Sequence, residues 1–195
     1  MSYAKIISGV VLIYPYDLSQ LQADNPNTSF PEELTLPFLA TWDIYEVLPQ
    51  PQPSYNPALQ KVVEGVPAFS SPTWLQTWIV VALTVPEQDA YKTTFIDQAK
   101  VNTIAYLDAF AATRDYASCD RCCGYKGTSN AQLNADATYM VGGRDSVITS
   151  AYATLALIKA GTIPVPTMAG FLATLPALAW PNPETMPAVD GTAVL

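Results

Sequence analysis

The chain has 195 residues, half of them hydrophobic and only 13% charged, which is enough for one ordinary domain or two small ones with a packed core. Its formal net charge is −8, and its nine basic residues are scattered. That excludes the clustered cationic surface needed to displace counterions from a nucleic-acid backbone or to hold an anionic membrane. Histidine is absent altogether, which removes Ser-His-Asp and Cys-His catalysis and most zinc hydrolase sites.

Seventeen prolines against nine glycines imply many rigid breaks between short elements. Residues 6 to 13, "IISGVVLI", follow Lys5 in the manner of a signal-peptide core. No small-x-small cleavage site follows them, so the stretch reads as a buried strand. "GVVLIYPY" is β-branched and aromatic and predicts a strand up to Tyr16. Asp17 then suits the N-cap of a short helical turn, with Gln20 in the capping-box position and Leu18 and Leu21 on one side. Asn25-Pro26 ends that turn, because the residue before proline is pushed out of the α region. Pro31 and Pro37 restart and stop the chain, and "DIYEVLP" predicts another strand.

"PQPQPSYNP", from Pro49 to Pro57, is a stiff spacer of polyproline character. Beyond it, "LQKVVEGVPAF" and "TWLQTWIVVAL" flank Ser70-Ser71-Pro72 and predict a hairpin. In its second arm Trp74, Gln76, Trp78 and Val80 alternate with Leu75, Thr77, Ile79 and Val81, so both faces are apolar.

The period changes at Thr84. Thr84-x-x-Glu87 with Pro86 starts a helix, and Ile96, Ala99, Thr103, Tyr106, Phe110 and Thr113 form one stripe running to about Arg114. A second helix is predicted from Asn130 through Leu133, Ala137, Met140, Val147, Ala151, Leu155 and Ile158, with Gly161 as its C-terminal cap. Gly142-Gly143 inside it predicts either a kink or a close approach. A short helix starts at Thr167 and ends by Pro176, and an extended tail runs over 181–195. No apolar run approaches the roughly 20 residues of a membrane span; the most apolar region, 151–181, is broken by Lys159, Pro164, Pro166 and Pro176. The expected architecture is therefore α+β: a small antiparallel β module over 1–83, then an antiparallel helical hairpin with a capping helix over 84–180.

For chemistry, the chain offers little. No P-loop or G-x-G-x-x-G sequence occurs. Cys119, Cys122 and Cys123 lie in a loop between helices, and neither a second cysteine pair nor a histidine exists to complete a zinc site. Free thiols, a disulfide and a metal site stay open as alternatives, with one thiol left over if two pair. Asp108 and Asp115 are seven residues apart near a helix end, and Arg144-Asp145 reads as a charged pair on a wet helix face or an ion pair to a partner. Trp42, Trp74, Trp78, Tyr106, Phe110 and Trp180 are candidate anchors, in the core or at an interface. No catalytic, cofactor or metal residue is assigned, and no cofactor is expected.

The ordered series "YPYDLSQLQADNPNTSFPEEL", "WDIYEVLPQPQPSYNPALQKVVEGVPAF" and "WLQTWIVVALT" resembles the amino-terminal module of small proteins encoded beside tail-fibre genes of tailed bacteriophages. "AYLDAFAATRDYASC" and "GRDSVITSAYATLALIKAGTIPVPTMAGFLATLPALAWP" are similar to a helical domain of the same group. Gly142-Gly143 and the double cysteine depart from that pattern. The resemblance implies a non-enzymatic structural or assembly role: a tail-fibre assembly chaperone, or a component bound permanently at the fibre tip. The implied partner is a tail-fibre protein, itself trimeric. The implied locations are the virion tail and, during assembly, the host cytoplasm. Two alternatives stand beside it: a self-associating trimeric fibre or baseplate subunit, and a receptor- or glycan-binding fibre end using Trp74 and Trp78. Neither nucleic acid nor membrane is an expected partner.

Overall fold

The computed structural model describes residues 2–183. The fold is α+β, a mixed β-sheet region followed by a helical region. The chain divides into two compact units, Met1–Thr84 and Val85–Leu195.

In the first unit, β1 (Ser2–Ile7) and β2 (Val10–Tyr16) form a hairpin with Ile7 opposite Val10. Residues 6 to 13 are therefore not one buried strand. Ser8 and Gly9 form a two-residue turn with φ of 51° and 78°, the left-handed pair that matches the twist of hairpin strands. Splitting the apolar run at this turn leaves Val10 60% and Leu12 56% exposed.

Asp17 caps α1 (Leu18–Asp24), accepting from the Ser19 N–H at 2.9 Å. That hydrogen bond to the carboxylate lowers the pKa of Asp17. Asn25 closes the helix, its Nδ2 donating to the Leu21 carbonyl at 2.9 Å. Pro37 lies in the first turn of a second short helix, α2 (Leu36–Ala40), so it opens an element rather than stopping one. Leu21 and Leu39 from these helices bury themselves with Tyr16 and Ile44, joined by Phe30 and Trp42. The opposite cluster is Ala4, Ile6 and Val47, with Tyr45 and Trp74 packed on it.

The other strands are β3 (Ile44–Leu48), β4 (Gln60–Glu64), β5 (Ala68–Ser70), β6 (Thr73–Leu75) and β7 (Trp78–Ala82). The main sheet has five strands in the order β2-β1-β3-β6-β5, and β4 pairs with β7 in a separate ribbon. The expectation of an antiparallel sheet holds except at one seam. β3 and β6 run parallel, with Val47 opposite Trp74 and Leu48 opposite Leu75. The long crossover between them, through the spacer and two strands, returns the chain in the same direction.

The predicted hairpin around Ser70-Ser71-Pro72 is present but divided. Its inner end is β5–β6, its outer end is β4–β7, and the arm is not a single strand because the ladder breaks at Gln76 and Thr77. The spacer is tied along this arm: Trp78 Nε1 donates to the Gln50 carbonyl at 2.7 Å, and the Gln50 N–H donates to Gln76 Oε1 at 3.2 Å.

The second unit is built on α3 (Val85–Ala112) and α5 (Ala131–Lys159), with α4 (Cys119–Cys123) between them and α6 (Met168–Leu172) after them. Asn130 accepts from the Leu133 N–H at 3.1 Å and starts α5. At its far end Gly161, with φ of 72°, sits in a Schellman arrangement. The Thr162 N–H bonds the Leu157 carbonyl, and the Gly161 N–H bonds that of Ile158.

The fully buried stripe of α3 is Phe95, Ala99, Thr103, Leu107 and Ala111, stepped by four. Only Ala99 and Thr103 belong to the predicted stripe. Tyr106, Phe110 and Thr113 lie on its flank, where the segment around residues 176–180 meets them. One periodicity thus mixed two neighbouring faces.

α5 passes through Gly142-Gly143 unbroken. A Cβ at Gly143 would stand 2.9 Å from Leu178 Cδ2, whereas one at Gly142 would meet nothing within 4 Å. Gly142→Ala is accordingly expected to stabilise the helical unit by roughly 1 kcal/mol, from helix propensity alone. Gly143→Ala should gain less, because Leu178 has to move. Thermal melting of the two variants compares them directly.

Candidate functional site

The thiols come first, because they are the most reactive groups in the chain. They lie on the short helix α4 rather than in an irregular loop. Ser118 caps it, accepting from the Arg121 N–H at 3.2 Å, and Asp108 accepts from the Cys119 N–H at 2.8 Å. All three cysteines are free; Cys119 and Cys122 are buried and Cys123 is half-buried. Burial, and then the neighbouring Cys123, push the Cys122 thiol up to about 12, and Cys119 rises for the same leading reason. Protonated buried thiols are poor nucleophiles and poor ligands. Among the described residues no group of three or more His, Cys, Asp or Glu side chains is placed to hold a metal.

A measurable consequence follows from this geometry. A disulfide-exchange reagent at pH 8 should label at most Cys123 in the native chain, and all three thiols in urea. Above pH 9 the unfolded state releases thiol protons that the folded state still holds. Stability therefore falls as pH rises from about 9 towards 12, and is fully present below that range. Cys122→Ala should flatten part of the slope in urea titrations at pH 8 to 11.

The carboxylates do separate work. Asp108 is spent on the Cys119 N–H, and Asp115 is an exposed turn residue with φ of 57°. Arg144 bonds Asp145, with Nη2 to Oδ1 at 3.1 Å, and its Nη1 lies 3.7 Å from Asp120 Oδ1. The hydrogen bond to Asp145 raises the pKa of the guanidinium. Asp108, Cys119, Asp120 and Arg144 line a cleft of about 380 Å³ in which every polar group already has a structural task.

The aromatic anchors sort into two kinds. In the helical unit, Phe110 stacks on Trp180 at 4.4 Å between ring centres, Trp180 Nε1 donates to Thr113 Oγ1 at 2.8 Å, and Tyr106 bonds the Pro176 carbonyl at 3.1 Å. These three anchors are used inside their own unit. In the β unit Trp42 packs on Phe30 at 5.5 Å, and Trp78 is held by the Gln50 carbonyl. Trp74 differs. It lines a groove of about 520 Å³ on the sheet, together with Ile6, Asp43, Tyr45, Phe69 and Pro72. Phe69 is 59% exposed.

Periodicity missed the most deeply buried polar pair. Arg114 and Asp136 have side chains only 6% and 2% exposed, and they bond directly. Tyr116 donates to Asp136 Oδ2 at 3.0 Å, Gln132 donates to Oδ1 at 2.9 Å, and Arg114 also donates to the Asn182 carbonyl. Burial, followed by the bond to Asp136, raises the pKa of Tyr116. The available signal was a charge at each of two apolar helix registers: Arg114 after Ala111, and Asp136 beside Ala137 and Met140. The predicted tail begins at Pro181. Its first residues are anchored by the Asn182 contact, and the remainder of 181–195 lies outside the described residues.

The sheet edges are the other surface of note. β2 and β5 are its outer strands, and neither carries a charged residue. Val10, Leu12 and Ile13 on β2 and Phe69 on β5 are exposed. On β2 itself Tyr14 donates to Glu64, as Gln76 does, so a carboxylate lies against this edge. Burial and that carboxylate push the Tyr14 hydroxyl up to about 12.

Comparison with protein-family models, with curated proteins and with solved structures finds no match to this chain. No helix among the described residues is long and apolar enough to cross a membrane.

Proposed function

We propose that this chain is a non-enzymatic protein-binding subunit and, more particularly, a phage tail protein that engages a tail fibre. It acts as an assembly chaperone or as a permanently bound tip component. The observation that carries the reading is the pair of uncharged sheet edges with exposed apolar side chains. Native sheets blunt their edges with charges, prolines, bulges, short strands or a covering element, because an open edge templates strand addition. β2 carries Pro15 and register shifts and β5 is only three residues long, yet Val10, Leu12 and Phe69 stay exposed on them. An edge left apolar suits a partner strand, whose backbone bonds give affinity while alternate side chains fill the neighbouring grooves. The Tyr-Pro-Tyr start, the Asn-Pro run, the Pro-x-Pro spacer and the W-x-x-x-W arm supply the link to fibre-associated proteins.

The reading is tested by co-expressing the chain with the tail-fibre polypeptide of the same phage and measuring the mass of the eluted species by light scattering. A shared peak is expected. Val10→Lys combined with Leu12→Lys should abolish it without unfolding the chain, since both side chains are exposed. Separate peaks for the wild-type chains would remove the proposal. A homotrimer formed with no fibre present would favour the self-associating subunit instead.

A further inference from the structure

We infer that the groove on the first unit's sheet is a receptor for a basic side chain, arginine above all, presented by a protein partner. Only the identity of that partner as a fibre rests on the reading above. The groove is lined by Ser8, Asp43, Tyr45, Phe69, Pro72 and Trp74. Phe69 and Trp74 face each other in register on β5 and β6, their ring centres 5.2 Å apart and tilted by 51°. Ring faces carry the negative part of the aromatic quadrupole and attract a cation placed over them. Asp43 adds a full negative charge at the same place. Among the described residues its carboxylate makes no hydrogen bond or ion pair, while its backbone is fixed by bonds to Ala40 and Ile6.

Charge complementarity selects the occupant. No lysine or arginine lines the groove. An anionic ligand would be repelled by Asp43, and a purely apolar one would strip water from that carboxylate without replacing it. A guanidinium satisfies both the rings and the acid. The chain closes the same arrangement within its helical unit, where Arg114 lies 4.6 Å over the Trp180 ring and bonds Asp136. The groove likewise has an indole and a carboxylate in its lining, here with the carboxylate exposed, and no basic residue among them. Edge strand β5 borders it, so an extended partner segment can pair with Ala68–Ser70 while one side chain reaches the rings.

The test uses the full chain and two peptide probes, Ac-Gly-Arg-Gly-NH2 and its neutral counterpart with citrulline, followed by backbone amide shifts. The arginine peptide should shift the amides of Ser8, Asp43, Phe69 and Trp74 and bind about tenfold more tightly than the citrulline peptide. Asp43→Asn and Trp74→Leu should each erase most of that difference, and added salt should weaken it. Equal affinities, no binding, or shifts confined to another surface would overturn the inference. So would tighter binding of maltotriose at the same amides, which would assign the groove to a saccharide. The fibre experiment separates the two readings. If the arginine peptide occupies the groove but the wild-type chain recruits no fibre, the fibre reading fails and the groove stands. If Asp43→Asn recruits fibre as well as the wild type does and also binds the arginine peptide as tightly, the groove is no receptor for a basic side chain and the inference fails.

Discussion

Replacing Asp136 by alanine is expected to cost the helical unit about 3–5 kcal/mol, the usual penalty for breaking a buried ion pair by removing one partner. The reason is what remains behind. Arg114 would keep its charge with 6% of its side chain exposed. The Tyr116 hydroxyl and the Gln132 amide would each lose an acceptor in the same place. Taking that acceptor from the half-buried Tyr116 hydroxyl adds to the loss.

The pair itself need contribute little, because desolvating both charges offsets much of their attraction. The double variant Arg114→Met, Asp136→Leu should therefore recover most of the stability lost by Asp136→Ala alone. Urea unfolding of wild type, both single variants and the double closes a thermodynamic cycle that isolates the interaction. A loss below roughly 1 kcal/mol for Asp136→Ala would show that water solvates the guanidinium, contradicting its burial.

Trp180→Ala is the second large effect, about 3 kcal/mol, at the lower end for an aromatic-to-alanine change because the ring is only half-buried. Three contacts disappear together: the stack on Phe110, the Arg114 guanidinium over the ring, and the bond from Nε1 to Thr113. The segment from Pro176 to Pro183 should then loosen from the flank of α3 and become sensitive to proteases before the helices unfold. Trp180→Phe keeps most of the stacking area and loses the Thr113 bond, so about 1 kcal/mol is expected. Thermal melting with limited proteolysis distinguishes the two variants. Equal melting temperatures for Trp180→Ala and wild type would mean that the ring does not hold the segment.

Sequence reading was most successful where the cause and the consequence lie within a few residues of each other. Asp17, Asn130 and Thr167 each accept from a backbone N–H two or three residues on, so the helix starts were visible as side-chain types. Gly161 marked a helix end for the same reason. The Ser8-Gly9 turn is equally local, but the apolar residues on both sides of it form one continuous run in the sequence and hide it. The candidate site was legible only as names. Trp74 stood among six aromatic candidates, and nothing in its neighbourhood along the chain separates it from Trp78 or Trp180.

What the amino-acid order determined by itself is the α+β class, the lengths of the two long helices, the caps of the second, and the lack of any imidazole to run hydrolytic chemistry. All of these follow from composition or from spacings of two to four residues. The tertiary structure alone decided that β6 runs parallel to β3, which brings Trp74 and Phe69 into one groove with Tyr45 and Asp43. It also decided that Arg114 meets Asp136 and that Trp180 is consumed inside its own unit. Arg114 and Asp136 are 22 residues apart along the chain, and Trp180 and Thr113 are 67 apart. Contacts at such separations are chosen by which apolar faces bury each other, and no local periodicity encodes that choice.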